Sequence, residues 1–129
     1  MRDLVKVYKV LSDESRLRVL NLLLERSCCV CEVMQALDIT QSKASRILGA
    51  LHDAGILELH REGLWAVYSI DWEGMEPSMK AIIQATTDAF SGNQLMANDR
   101  ERLRKAERVG PACARKTCAG DTARAMNAR

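Results

Sequence analysis

Apolar and polar positions divide the first two-thirds of this chain into five helical stretches and one hairpin. Leu4, Val7, Tyr8 and Leu11 draw one stripe along residues 3–11. Leu17, Val19, Leu20, Leu23 and Leu24 draw a broader one from Glu14 to Glu25, behind a cap offered by Ser12-Asp13, and this helix is expected at the centre of the core. Val33, Ala36 and Leu37 mark a short helix from Cys31 to Leu37. Ala44, Ile47, Leu48 and Leu51 mark a longer one from Gln41 to Ala54, which Thr40 is placed to cap. Ile56 to Glu62 and Trp65 to Ile70 are rich in apolar and β-branched residues and meet at Glu62-Gly63-Leu64, where Gly63 supplies the freedom a tight hairpin needs. Pro77 opens the last apolar helix, which carries Met79, Ile82, Ile83, Thr86, Ala89 and Phe90.

The pair Cys31–Leu37 and Gln41–Ala54, joined by Asp38-Ile39-Thr40, has the connection length of a helix-turn-helix. On the second helix Ser42, Ser45, Arg46 and Gly49 lie opposite the apolar face, with Gln41 and Lys43 at its N-terminal edge. Short side chains let such a face enter a major groove, and an Arg forks onto a guanine or a phosphate. A hairpin after a recognition helix reads as a wing, with Arg61 near its tip in reach of a phosphate or the minor groove. The final helix is too apolar to stand alone on so small a body. With residues 3–11 it is expected to bury its stripe in a two-fold homodimer, presenting two recognition helices to a pseudo-palindromic site on double-stranded DNA. The expected fold is therefore mainly α with a β-hairpin wing: four helices, two strands, a fifth helix and a C-terminal tail.

With 129 residues the chain fits one core. Residues 1–91 carry 10 basic against 13 acidic side chains, and residues 92–129 carry 9 against 4. Bulk charge therefore gives no nucleic-acid signal for the folded part, and DNA binding rests on the local placement of Lys43, Arg46 and Arg61. The expected boundary falls at residue 91, with a winged helix-turn-helix domain before it and a basic, flexible tail after it. A short charged helix over Asp99–Arg108 is the tail's one candidate element, and Gly110-Pro111 ends it. No apolar run approaches the roughly 18 residues of a membrane span, and MRDLVKVYKV lacks a signal-peptide core, so a cytoplasmic protein with no membrane partner is expected.

Three of the five cysteines crowd into Cys28, Cys29 and Cys31, while Cys113 and Cys118 lie near the C-terminus. In a reducing compartment that distribution points to ligation or redox chemistry more than to disulfides. Thiolates select soft, thiophilic centres, and His52 and His60 lie apart from the cluster, so a zinc site of the usual Cys/His spacing is poorly supported. The spacing Cys28-x-x-Cys31 lacks the βαβ context of a thiol–disulfide enzyme, which leaves a redox-responsive regulator as the thiol alternative. No enzyme is expected.

Leu11-Ser12-Asp13-Glu14-Ser15-Arg16-Leu17-Arg18-Val19-Leu20, Cys29-Val30-Cys31-Glu32-Val33, Ser45-Arg46 through Leu51-His52-Asp53-Ala54-Gly55-Ile56-Leu57, then Arg61-Glu62-Gly63 and Val67-Tyr68 closely resemble the ArsR/SmtB family over roughly residues 2–90. That resemblance implies a dimeric winged-helix repressor that leaves its operator when a metal or metalloid binds, and As(III) or Sb(III) as the inducer, with no organic cofactor. Carried over by position, Cys29 and Cys31 are ligands. The family's third Cys is replaced by Met34, whose thioether cannot substitute for a thiolate on arsenic. Ile47 stands where members often carry His, but it lies on the core face. Cys28 is the nearest third thiolate, and Cys113 or Cys118 is the other choice. Sensors of Cd(II), Pb(II) or Zn(II) share the fold. The former two usually recruit further cysteines from an N-terminal extension or the recognition helix, and the zinc type uses His on the last helix; this chain has neither. Residues two apart on a helix point to different sides. Gripping one atom with Cys29 and Cys31 is therefore expected to unwind the first helical turn and disturb the DNA reader, and a helix N-terminus is expected to lower the thiol pKa values.

Overall fold

A computed structural model describes residues 2–109 of the chain; Cys113 and Cys118 lie outside them. The elements run α1 (Arg2–Leu11), α2 (Glu14–Glu25), α3 (Val30–Leu37), α4 (Gln41–Asp53), β1 (Leu57–Glu62), β2 (Trp65–Ile70), α5 (Pro77–Asp88) and α6 (Gln94–Arg104). The two expected caps form: the Arg16 N–H donates to Asp13 Oδ2 at 3.1 Å and the Lys43 N–H to Thr40 Oγ1 at 3.1 Å. Each satisfies a donor that the first helical turn leaves without an intrahelical partner.

The core lies where α2, α3 and α4 meet, around Val19, Leu20, Leu22, Val33, Ala36, Ala44, Leu48 and Leu51. Truncating one of the fully buried leucines to alanine costs ~2–5 kcal/mol in such a setting. Two backbone reversals aim α4 and the wing. Asp38 turns the chain out of α3 in the left-handed region at φ 55°, which a short polar side chain tolerates. Gly55, at φ 84°, ends α4 in a Schellman motif, with the Ile56 N–H on the Leu51 carbonyl and the Gly55 N–H on that of His52.

The hairpin is antiparallel, in register from Leu57 opposite Ile70 to Glu62 opposite Trp65, so Gly63-Leu64 form a two-residue loop. Gly63, at φ 65°, takes the first central position, where a type II′ turn needs a positive φ. Cys28 adds a rung to this sheet, giving and taking backbone hydrogen bonds with Tyr68 at 3.0 and 2.8 Å. The link between α2 and α3 is thereby fastened to the root of the wing.

Ordered structure passes beyond the expected boundary at residue 91. In place of a short helix over Asp99–Arg108, α6 begins at Gln94, capped by the Asn93 side chain, and buries Met96, Asp99 and Leu103. It is anchored to α2 by polar groups: Arg18 grips Asp99 at 2.7 and 2.9 Å, Asn21 donates to the Met96 carbonyl at 3.0 Å, and Arg100 donates to Asn21 at 2.7 Å. The buried Asp99 is tolerable because both oxygens are held by one guanidinium. The apolar faces expected to pair between subunits are partly open in the single chain: Leu4, Val5 and Tyr8 on α1 are exposed, and Met79, Ile82 and Thr86 on α5 are half-buried around a buried Ile83.

Candidate thiol site and nucleic-acid face

The chain is extended as it leaves α2, so successive side chains point to opposite faces. Cys28 lies opposite Tyr68, enters the main core, and its thiol donates to the Arg26 carbonyl at 3.4 Å. Cys29, one step on, takes the other face, where it forms a separate buried cluster with Cys31 against Trp65 of β2. The Cys29 and Cys31 sulfurs are 3.0 Å apart.

That proximity corrects the expectation that a helical first turn holds these sulfurs apart. Cys29 is the N-cap of α3, with φ −92° and ψ 172°, so only Cys31 is helical. A bend between cap and first turn swings both sulfurs to one side, and no unwinding is needed. Glu32 fixes this cap, since its Oε1 accepts from the Cys29 N–H at 2.8 Å. The carboxylate is buried and held by Arg26 at 2.5 Å and by Arg108 at 3.2 Å. Burial opposes its ionisation, but the Cys29 N–H and the two guanidinium groups outweigh that and keep its pKa below the usual carboxylate range.

The three thiols differ electrostatically. Burial in the core, with the Glu32 charge nearby, pushes Cys28 up to about 12. Within the pair, hydrogen bonding to Cys29 holds Cys31 below the ordinary thiol value, with the Val109 backbone N–H adding to this, and the same contact raises Cys29. The general lowering expected from the helix N-terminus is therefore confined to Cys31. Two converging buried sulfurs with no imidazole beside them suit a soft, thiophilic centre. His52 packs edge-on to Tyr68 and His60 bonds Glu62 on the wing, while Met34 packs against the main core. Among the described residues no group of three Cys, His, Asp or Glu side chains is arranged to hold a metal ion.

The proposed DNA-reading side chains share one face of α4. Ser42, Lys43 and Arg46 are exposed, and Gln41 donates to Ser45 across one turn at 2.8 Å, while Ala44, Ile47, Leu48 and Leu51 are buried behind them. Arg61 is exposed on the wing, three residues from the loop's Leu64. Sequence reasoning missed Arg16: with Lys43 and Arg46 it lines an open hollow of about 450 Å³, floored by Ile47 and edged by Asp13 and Ser15. Its only signal was a basic side chain in the first turn of α2, which the packing of α2 against α4 brings beside Lys43 and Arg46. It missed equally the residues that cover the thiols, Trp65 from the wing and Arg108 from beyond α6, whose guanidinium lies 5.9 Å from the Trp65 ring centre.

Residues 13–58, spanning the helix-turn-helix and both flanks, match the family model described as bacterial regulatory protein, arsR family. The chain is 36% identical over 93 residues to the arsenic resistance transcriptional regulator ArsR1 of Pseudomonas putida, covering 69% of this chain and 73% of the relative. To ArsR2 of the same organism it is 37% identical over 99 residues, covering 76% and 84%. A cadmium resistance regulator, the CadC homolog of Staphylococcus aureus, is 38% identical over 72 residues, covering 55% of this chain and 60% of its own length. Among solved structures, HlyU of Vibrio cholerae superposes with a TM-score of 0.57 at 25% identity, covering 69% of this chain and 92% of that one. A winged helix-turn-helix with these relatives is a transcriptional repressor rather than an enzyme, and the chain belongs to the arsR family of bacterial regulatory proteins.

Proposed function

We propose that this protein is a cytoplasmic, homodimeric repressor that holds operator DNA until As(III) or Sb(III) bonds to Cys29 and Cys31. The observation that carries the reading is the buried sulfur pair, 3.0 Å apart, on the first turn of the helix that leads into the recognition helix. Metal-thiolate bonds of ~2.3 Å to a common centre require sulfurs a few ångströms apart, which the pair already approaches. In the DNA-binding shape Gln41, Ser42, Lys43, Ser45 and Arg46 meet base edges and phosphates, Arg16 adds a phosphate contact, and Arg61 reaches from the wing. Exposed Leu4, Val5 and Tyr8 on α1 and the half-buried face of α5 support the dimer.

Coupling follows from what touches the thiols. Trp65 belongs to the wing, Cys29 caps α3, and α3 packs on α4. Moving the sulfurs from hydrogen-bonded contact to bonding distance therefore shifts the cap and the loop end of the wing together. The inducer is bound in the shape that fits DNA less well, which is the differential affinity that release requires. The cadmium relative keeps Cd(II) as a second reading, with Pb(II), Zn(II) and thiol oxidation as further triggers on the same scaffold. The test is release of a labelled operator duplex from the reduced protein titrated with arsenite, antimonite, Cd(II), Pb(II), Zn(II) and a mild oxidant. Arsenite and antimonite are expected to release it at the lowest concentrations. Release by Cd(II) alone, or by the oxidant alone, replaces the inducer assignment.

A further inference from the structure

We propose that Arg108 is a positioning residue that carries inducer binding to the wing, by tying the carboxylate that fixes the Cys29 cap to Glu62 beside the hairpin loop. The proposal rests on the reading of Cys29 and Cys31 as inducer ligands and names the side chain through which that site acts.

The chain does not leave the body after α6. Arg26 donates to the carbonyls of Leu103 at 2.9 Å and Ala106 at 3.4 Å. Gln35 of α3 clamps Glu107, donating to its carbonyl at 2.6 Å and accepting from its N–H at 3.1 Å. These contacts bring Arg108 over the thiol pair, although Glu107 and Val109 are themselves exposed and add nothing to the core. The Arg108 Nε lies 3.2 Å from Glu32 Oε1, its Nη1 lies 2.8 Å from Glu62 Oε1, and its guanidinium is 5.9 Å from the Trp65 ring centre. One planar cation thus joins a buried carboxylate on α3 to an exposed one on β1, across the ring that packs on the thiols.

The input end of this tie is shared with the cap. Glu32 Oε1, the oxygen that Arg108 holds, also accepts from the Cys29 N–H at 2.8 Å. A displacement of Cys29 on bonding the inducer therefore reaches Arg108 through a single atom. Arg26 separately holds Glu32 Oε2 at 2.5 Å. The cap carboxylate keeps a charged partner without Arg108, so the tie can be cut while the thiol site stands.

The output end is where the wing has least backbone support. Glu62 pairs with Trp65 at the last register position before Gly63-Leu64, whereas the Cys28 rung fastens the sheet at Tyr68, three residues further along β2. Arg61 and Glu62 are neighbours on one strand and point to opposite faces. A shift of Glu62 from the thiol side therefore re-aims Arg61, the proposed DNA contact, on the other. Two carboxylates held by two edges of one guanidinium call for arginine, because a lysine ammonium is a point charge without that fork. An exposed pair such as Arg108–Glu62 contributes little to folding, so cutting it separates transmission from stability.

The test uses the reduced full chain as wild type, Arg108→Gln, Arg108→Lys, Glu62→Gln and the Arg108→Gln/Glu62→Gln double variant. Arsenite affinity is read by calorimetry, and operator affinity by anisotropy without arsenite and at saturation. Hydrogen exchange of the hairpin amides is followed by mass spectrometry in the inducer-free chain. All variants are expected to bind arsenite as wild type does. The ratio of operator affinities, empty over loaded, is expected to fall about tenfold in each single variant, within the range that such couplings span. The double variant is expected to fall no further, because both changes cut one tie. Amides of residues 61–66 are expected to exchange faster in every variant. An unchanged ratio in Arg108→Gln, its restoration by Arg108→Lys, additive losses in the double variant, or unaltered hairpin exchange overturns the proposal while leaving the thiol reading intact. A wild type that binds no arsenite, or keeps its operator when loaded, removes the inducer reading itself and this transmission with it.

Discussion

Cys28 and Cys29 are separated by one step along an extended backbone. The first faces Tyr68 and the interior, with its thiol pushed up to about 12 by burial. The second turns to the other side and meets Cys31 under Trp65. Residue type and sequence proximity are the same for both, so neither distinguishes a core cysteine from one proposed to bind the inducer. The distinction is made by strand alternation, which the bridge to Tyr68 sets in phase, and by the cap conformation at Cys29, which Glu32 holds.

The strongest way to break this contrast is to remove a sensing sulfur. Cys29→Ser or Cys31→Ser is expected to bind operator as wild type does while requiring more than about a hundredfold more arsenite for release, the combined loss of a bond and of its closure. Fluorescence anisotropy of a labelled duplex measures both quantities. Arg46→Ala is the converse: operator affinity falls about ten- to a hundredfold, the worth of one forked contact, while arsenite affinity stays unchanged by calorimetry. Cys28→Ser sharpens the contrast from the core side. A hydroxyl in place of a buried thiol is expected to cost ~1–3 kcal/mol in urea unfolding, with the arsenite midpoint for release unmoved. The smallest effect is kinetic. At pH 8 and limiting iodoacetamide, peptide mapping is expected to find Cys31 modified ahead of Cys28, because alkylation needs thiolate and the Cys28 thiol remains protonated far above that pH.

The proposed reader was more legible in the sequence than the proposed sensor, for a physical reason. In α4 one face is buried and the other meets solvent, so period alone separates Ile47 and Leu48 from Ser42 and Arg46. Thr40 caps it and Gly55 ends it, both local signals. The thiol pair was recognisable by its spacing and family resemblance, but its convergence depends on Cys29 being a cap, held by Glu32 three residues on, and on the strand phase set by the long-range bridge between Cys28 and Tyr68. Helix α6 hid for a related reason. Its buried face consists of Met96, Asp99 and Leu103, and an aspartate counts as polar in any periodic pattern; it is buried here because Arg18, 81 residues earlier, grips it. Arg16 likewise joins Lys43 and Arg46 only through tertiary packing.

The central claim is that Cys29 and Cys31, and not Cys28, bond the inducer. Arsenic-edge X-ray absorption on the arsenite-loaded full chain tests it directly. The account predicts the same sulfur count, at least two, in the first shell of wild type and of Cys28→Ala, and one sulfur fewer, replaced by oxygen, in Cys31→Ser. An oxygen-rich shell in wild type, or loss of sulfur in Cys28→Ala with Cys31→Ser unaffected, would contradict it.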